Sequence, residues 1–218
     1  MAKGTIAGAR VTPRSYSKRR AILDAAAELF LHEGYSGTSM DDVAARASVS
    51  KQTVYAQFGG KKALFVTVVA TMTGDAGDEV QREIRALGGE DDVRAALLDY
   101  AQRQLRVVLT PRLMQLRRLV ISESTRFPEL GRALHQGGPQ RAIAGLAEAF
   151  ARWTERGLLR IADPATAASQ YNWLVMGDPV NRAMLLGDGS IPPPDALRRH
   201  AEEAVRAFVA IYPPTGAV

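Results

Sequence analysis

Residues 50–58 hold a run of side chains that could contact nucleic acid: Ser50, Lys51, Gln52, Thr53 and Tyr55. Val54 and Phe58 are four residues apart, so on a helix they share one face and can anchor it to a core. Lys, Gln, Ser and Thr side chains can hydrogen-bond to base edges, whereas Lys and Tyr suit phosphate oxygens. The pattern predicts a short recognition helix over residues 51–58, of a size that fits the major groove of DNA.

The residues just before this segment predict the helix that would hold it. Thr38 and Ser39 are both helix-capping types, and each is followed three residues later by an aspartate, as in a capping box. A helix over Asp41–Ala47, a tight turn at Ser48-Val49 and a second helix over Lys51–Phe58 form a helix-turn-helix. The alternative is an ordinary pair of capped helices, because such pairs occur in many α-helical proteins.

The net charge of +5 is confined to the N-terminal third of the chain. Residues 1–70 carry ten Lys and Arg against five Asp and Glu, and the remainder is balanced at 18 of each. Residues 1–16 have no hydrophobic period, and we interpret them as a flexible basic arm that leads to Lys18 and Arg19. This asymmetry favours a surface that meets an anion, although chance composition is the simpler alternative.

The composition argues against several classes of protein. The chain has no cysteine, and its three histidines lie far apart, so neither thiolate chemistry nor a metal site is indicated. No apolar run reaches the roughly 18 residues that a membrane span needs, and the basic start has no apolar stretch after it. We therefore expect a cytoplasmic protein that is not an enzyme and uses no metal or cofactor.

Apolar residues recur at helical spacing through the chain, which predicts an all-α fold of nine or ten helices. We expect an arm over residues 1–16, a three-helix helix-turn-helix domain over 17–73 and a larger helical bundle over 74–218. The helix that starts at Lys61 is expected to end near Thr73, because Gly74–Gly77 reads as a helix breaker. A second break is expected at Gly137-Gly138-Pro139.

The stretch Ala21–Phe65 resembles the DNA-binding domain of the TetR (tetracycline-repressor) family. The family motifs are present as Ala26…Leu29-Phe30…Gly34-Tyr35, then Thr38…Val43-Ala44…Ala47…Val49-Ser50, then Tyr55…Phe58…Lys61…Leu64. The resemblance implies that Thr38, Tyr55 and Lys61 contact phosphates and that Ser50 to Thr53 begin the recognition helix. Together with the basic segment before it, the predicted DNA-binding residues are Lys18, Arg19, Thr38, Ser39, Ser50, Lys51, Gln52, Thr53, Tyr55 and Lys61.

A weaker resemblance to one C-terminal type of the same family rests on the runs Glu123–Leu130 and Gly157–Pro164. It implies a homodimer that packs helices of about 164–186 and 194–211 into a four-helix bundle. The segment 164–186 is apolar on more than one side, which agrees, but a central helix of a monomeric bundle would have the same pattern.

The family resemblance also implies a ligand pocket in the second half of the chain. The candidate lining residues are Tyr100, Met114, Leu119, Phe127, Trp153, Asn172, Trp173 and Met176. The alternative, which is the commoner role of large side chains of this kind, is that each is a plain core residue. Pro179 is expected to kink its helix and to leave a carbonyl unpaired nearby. A mostly apolar cavity of this kind would suit a hydrophobic or a cationic aromatic compound, although no cluster of acids near these aromatic residues favours a cation.

The sequence thus favours a dimeric regulator that binds a palindromic DNA operator and releases it when a small effector binds. Activation instead of repression stays open. The alternatives are a DNA-binding regulator that needs no ligand, and a helical-bundle enzyme or small-molecule carrier that does not bind DNA.

Overall fold

The computed structural model describes residues 13–87 and 89–215. Within them the chain is all-α, as predicted, and contains no strand beyond one isolated bridge between Leu159 and Pro214. The ten α-helices are α1 Pro13–Gly37, α2 Met40–Arg46, α3 Lys51–Phe58, α4 Lys61–Leu87, α5 Val93–Val108, α6 Pro111–Glu123, α7 Pro128–His135, α8 Arg141–Glu155, α9 Pro164–Leu186 and α10 Pro194–Ile211. Throughout the described residues, each helix is either too short or too polar to cross a membrane.

The first helix begins earlier than the sequence pattern predicted. Residues 13–16, which were assigned to the flexible arm, are the first residues of α1, and the rest of the predicted arm lies outside the described residues. Near its end α1 is interrupted at Gly34, whose φ of 73° lies in the left-handed region that glycine adopts without strain.

The chain divides into two compact units between Val68 and Val69, before the boundary at residue 73 that the sequence suggested. The first unit packs α1, α2, α3 and the start of α4 around an apolar core. Its centre is a group of rings, with Phe30 and Phe65 at 4.6 Å and Tyr35 and Phe65 at 5.1 Å between ring centroids.

The expected break at Gly74–Gly77 is wrong, because α4 is one continuous helix from Lys61 to Leu87. Gly77 serves close packing instead: a Cβ atom built there would lie 2.5 Å from the carbonyl oxygen of Gly137. Gly145 of α8 has a similar role, since its Cβ atom would lie 2.9 Å from Oε1 of Gln81. Both contacts lie within the second unit, where Gly77 lets α4 approach the backbone of the π turn and Gly145 leaves room for the Gln81 side chain of α4.

The break expected at Gly137-Gly138-Pro139 is also wrong. Residues Gln136–Gln140 form one turn of π-helix that joins α7 to α8. A π turn accommodates Pro139, which cannot donate a backbone hydrogen bond, without ending the helical path.

The core of the second unit is aromatic and centres on α8, α9 and α10. Phe150, Trp153, Tyr171 and Phe208 are fully buried, and the ring of Phe208 lies 5.3 Å from Phe150 and 5.0 Å from Tyr171. The hydroxyl group of Tyr171 donates to the carbonyl oxygen of Leu97 at 2.6 Å, which ties α9 to α5.

The unpaired carbonyl expected beside Pro179 is not found. Pro179 lacks the N–H group that would bond to the carbonyl oxygen of Val175 one turn earlier. That oxygen lies 2.8 Å from Nε2 of His200 on α10, so a side chain of the neighbouring helix takes the place of the missing donor.

Candidate nucleic-acid interface and internal cavity

Helix α3 has one buried face and one exposed polar face. Val54 and Phe58 are 0% and 7% exposed, so they anchor the helix as their four-residue spacing predicted. On the other side Lys51 and Gln52 are exposed, and Tyr55 is 44% exposed. A helix held in this way presents donors and acceptors to solvent on a rigid support.

Two of the predicted DNA-binding hydroxyl groups cap helices. Oγ of Ser50 accepts a hydrogen bond from the backbone N–H of Thr53 at 3.2 Å and lies 2.9 Å from the Thr53 hydroxyl group. Oγ of Ser39 accepts from the backbone N–H of Asp42 at 3.1 Å, and the Asp42 carboxylate accepts from Ser39, which completes a capping box. Both serines are exposed, and in this structure their side chains are engaged in capping α2 and α3.

Lys51, the first residue of α3, is engaged by an aspartate of α2. Its Nζ atom lies 2.8 Å from Oδ1 and 3.0 Å from Oδ2 of Asp41, and both side chains are exposed. The hydrogen bond to Asp41 and the negative charge of Asp41 raise the pKa of Lys51. The sequence reasoning named Lys51 but missed Asp41, which would compete with a phosphate for this cation.

Lys61 and Thr38 lie near the bend at Gly34. Nζ of Lys61 donates to the carbonyl oxygen of Ser36 at 3.3 Å and lies 4.6 Å from the centre of the Tyr35 ring. Thr38 is only 2% exposed, and its hydroxyl group donates to the carbonyl oxygen of Gly34 at 2.9 Å. In this conformation the Thr38 side chain therefore stabilises the bend and does not face solvent.

Arg19 of α1 lies against the end of α3. Its guanidinium group is 4.4 Å from the centre of the Phe58 ring and donates to the carbonyl oxygen of Gln57 at 3.4 Å. Lys18 is exposed one residue earlier. The cation–π contact orders Arg19 while leaving its charge at the surface beside α3.

The second unit contains a cavity lined by α4, α5, α6 and α9 and by the junction of α7 with α8, with about 60 Å³ open to the centres of water molecules. Three of the eight predicted ligand-lining residues, Asn172, Trp173 and Met176, do line it. The other five do not: Tyr100, Met114, Phe127 and Trp153 are buried elsewhere in the unit, and Leu119 is partly buried. The indole N–H of Trp153, for example, donates to the carbonyl oxygen of Glu90 at 3.0 Å.

The cavity wall contains polar groups that the sequence reasoning missed. Nε2 of Gln104 donates to Oδ1 of Asn172 at 3.0 Å, but Oε1 of Gln104 and the hydroxyl oxygen of Thr73 are buried without a partner. Arg117 is partly buried at the wall, and burial lowers its pKa. Thr73, Gln104, Arg117 and Asn172 are 13 to 99 positions apart in the chain, so no local pattern could have grouped them.

Elsewhere in the second unit, several large apolar side chains are exposed on α9 and α10. Trp173 is 50%, Leu185 74%, Leu186 70% and Ile211 61% exposed. Within the described part of the chain, no cluster of three or more His, Asp or Glu side chains is arranged to hold a metal ion.

Comparison with protein families gives two separate matches. The model for bacterial regulatory proteins of the tetR family matches residues 22–68, which include α2 and α3. The model for the C-terminal domain of AefR-like transcriptional repressors matches residues 95–214, more than half of the chain.

Individual proteins are similar over nearly the whole chain. The structure of a protein of Mesorhizobium loti assigned to the TetR family is 37% identical, with a TM-score of 0.88 over 92% of this chain and 99% of that chain. The flavonoid-responsive regulator FrrA is 30% identical, with a TM-score of 0.70 over 92% of this chain and 98% of its own. An HTH-type transcriptional repressor of Streptomyces coelicolor is 28% identical over 193 residues, which are 86% of this chain and 93% of that repressor.

Proposed function

This chain belongs to the TetR family of bacterial transcriptional regulators, and we propose that it is a dimeric repressor that binds a palindromic operator and is released by a small aromatic effector. The observation that carries the proposal is α3, a short helix anchored by buried Val54 and Phe58 with an exposed polar face. Because the operator lies on the bacterial chromosome, we place its action in the cytoplasm.

In the proposed complex α3 enters the major groove with its N-terminal residues toward the bases. Lys51, Gln52 and Thr53 are the residues we assign to base edges, since their side chains can donate or accept at that end of the helix. Tyr55, Lys61, Lys18 and Arg19 are assigned to the phosphate backbone, which sets the position of the protein without reading sequence.

Of the three hydroxyl residues that cap helices or stabilise the bend, we assign a phosphate contact to Ser39 and Ser50 but not to Thr38. Ser39 and Ser50 lie at helix N-termini, where backbone N–H groups and the helix dipole favour a phosphate. Thr38 would reach a phosphate only through a rearrangement of its bond to Gly34, so we assign its main effect to the position of α2.

We propose that two chains pair through α9 and α10. Trp173, Leu185, Leu186 and Ile211 expose large apolar side chains on these two helices, and a partner would remove them from water. One helix-turn-helix unit buries too little surface for tight specific binding, whereas two units one DNA turn apart read a palindrome.

The cavity is the proposed effector site. Thr73 and Gly77 line it, and both belong to α4, the helix that starts in the DNA-binding unit at Lys61. In one conformation of the dimer, the spacing of the two recognition helices does not match the operator. An effector that binds this conformation more tightly would lower the affinity for DNA. The relative FrrA is flavonoid-responsive, which supports an aromatic effector here as well.

The DNA-binding proposal is tested by fluorescence anisotropy with palindromes taken from the DNA that flanks the gene. We expect tight binding to one such palindrome, and Gln52→Ala should weaken it while binding to unrelated DNA stays the same. Equal affinity of the unaltered protein for the palindrome and for a scrambled duplex would refute sequence-specific binding.

Two other functions make different predictions. A regulator without an effector would have no use for a cavity with unpaired polar groups in its wall, and no compound would raise its melting temperature. A helical-bundle enzyme or carrier would bind its small molecule but leave palindromic DNA unbound in the anisotropy experiment.

A further inference from the structure

We infer that the effector is a mainly apolar aromatic molecule with one anionic group, a carboxylate or a phenolate, that pairs with Arg117. This inference rests on the proposed function of the cavity as the effector site. To that proposal the inference adds the sign of the charge on the effector, which the family membership does not determine.

Arg117 is the charged group of the cavity. It lies on α6, is partly buried and lines the wall, and among the described residues its guanidinium group makes no ion pair or hydrogen bond. The next residue is different: Arg118 lies 2.5 Å from Asp188 and donates to the carbonyl oxygen of Ala183 at 2.9 Å. Arg118 is therefore paired within the protein, whereas the guanidinium group of Arg117 is available to a ligand.

The physical cost of this arrangement points to an anion. A charged group that is partly withdrawn from water without a partner in the protein loses part of its hydration, and burial lowers the pKa of Arg117 accordingly. A carboxylate or phenolate would restore the lost interactions through charge-assisted hydrogen bonds. The residues that line the cavity include no Asp or Glu, so no charged side chain of the wall would pair with a cationic ligand, and Arg117 would repel it.

Two further groups indicate that the ligand also carries a hydroxyl or a similar polar group. The hydroxyl oxygen of Thr73 and one end of the Gln104 side-chain amide are buried at the wall without a partner. Both residues are 4% exposed, so bulk water does not satisfy them. A ligand hydroxyl group can donate to Oε1 of Gln104, and it can either donate to or accept from the hydroxyl group of Thr73.

The rest of the wall requires an apolar body. It is formed by aliphatic and thioether side chains, among them Val80, Val108, Leu113, Leu116, Leu134 and Met176. The cavity of about 60 Å³ holds only a few water molecules, since each needs roughly 10–15 Å³ on this measure. A single substituted ring is therefore the appropriate size for a first probe.

The test compares three probes of nearly equal shape on the full-length protein by isothermal titration calorimetry: 4-ethylbenzoate, 4-ethylbenzamide and 4-ethylbenzylammonium. We expect the benzoate to bind about tenfold more tightly than the benzamide, and the ammonium compound to bind most weakly. Arg117→Gln should abolish the preference for the benzoate, and Arg117→Lys should keep part of it.

Arg112→Gln is the matched control, because Arg112 is exposed on the same helix and does not line the cavity. It should leave the preference unchanged. Equal affinity for benzoate and benzamide, a preference that survives in Arg117→Gln, or no binding of the benzoate by the unaltered protein would each overturn the inference.

DNA binding in the same preparations separates this inference from the function on which it rests. Arg117→Gln should still bind the palindrome, and its melting curve should show one cooperative transition. If the unaltered protein binds the palindrome but does not prefer the benzoate, the charge assignment alone fails. If it binds no palindrome, the proposed repressor function fails whatever the probes do.

Discussion

At the scale of single residues, an aspartate of the proposed DNA-binding surface competes with DNA for a lysine. Asp41 holds Lys51 at 2.8 Å, so a phosphate or base that takes this cation must displace the aspartate. The pair is exposed on both sides, and such pairs stabilise the fold little. We interpret Asp41 as a residue that lowers affinity for DNA in general and so limits non-specific binding.

Asp41→Asn should therefore strengthen binding to unrelated DNA. The released Lys51 can neutralise one more phosphate per subunit, which steepens the dependence of log K on log salt by about 0.9 per subunit. Anisotropy titrations with a random duplex at several salt concentrations measure both effects. Asp99→Asn makes the same charge change at a pair with Arg103 in the second unit, and it should leave the slope unchanged.

A second prediction at this scale concerns the buried hydroxyl of Thr73. Thr73→Val replaces an unpaired hydroxyl group by a methyl group of similar size, which should raise the free energy of unfolding of the unliganded protein by about 1 kcal/mol. Urea denaturation measures this difference. Thr67→Val on the same helix removes a hydroxyl group that donates to the carbonyl oxygen of Ala63 at 2.7 Å, and it should bring no gain.

At the scale of elements, α4 contains two glycines whose surroundings differ. A Cβ atom at Gly77 would lie 2.5 Å from the Gly137 carbonyl oxygen, whereas a Cβ atom at Gly74 would have nothing within 4 Å. Both positions are helical, so alanine would favour the helix at each by about 1 kcal/mol. Only the packing around them differs.

Gly74→Ala should therefore stabilise the protein by up to about 1 kcal/mol. Gly77→Ala should destabilise it by about 1–3 kcal/mol, because the backbone at Gly137 must move to admit the methyl group. Thermal and urea unfolding of the two variants measure the difference. Stabilisation by both substitutions would show that the contact with Gly137 is not tight.

The distance along the chain between interacting residues explains which elements the sequence could predict. The caps and spacing that identify α2 and α3 lie within a few residues of each other, so Ser39, Ser50, Val54 and Phe58 were placed correctly from local pattern alone. Gly77 meets Gly137 sixty positions away, and Gln104 bonds to Asn172 across 68 positions. A single sequence has no signal for such pairings, which is why a packing glycine resembled a breaker and the cavity wall was mostly missed.

At the scale of the whole molecule, function in this proposal requires two chains. The exposed apolar residues of α9 and α10 include the adjacent Leu185 and Leu186, whose side chains are about three-quarters exposed. Leaving them in water is unfavourable by about 1.5–3 kcal/mol per side chain relative to full burial. A dimer that covers them gains this free energy, and it also sets the distance between the two recognition helices.

Leu186→Glu should therefore convert the dimer to a monomer at micromolar concentration, because two carboxylates would be buried near the contact. Analytical ultracentrifugation measures the mass, and a single cooperative melting transition would establish that the monomer is folded. Since the two half-sites no longer bind as a unit, affinity for the palindrome should fall by about 100-fold or more, while affinity for an isolated half-site stays low and unchanged.

Ile121→Glu provides the matched control for this prediction. Ile121 is 60% exposed but lies on α6, away in sequence from the two proposed interface helices. It places the same charge on an aliphatic position of similar exposure, so it should leave both the mass and the DNA affinity of the dimer intact. If Ile121→Glu dissociates the dimer and Leu186→Glu does not, the interface involves α6, and the spacing of the recognition helices must be set by a different contact.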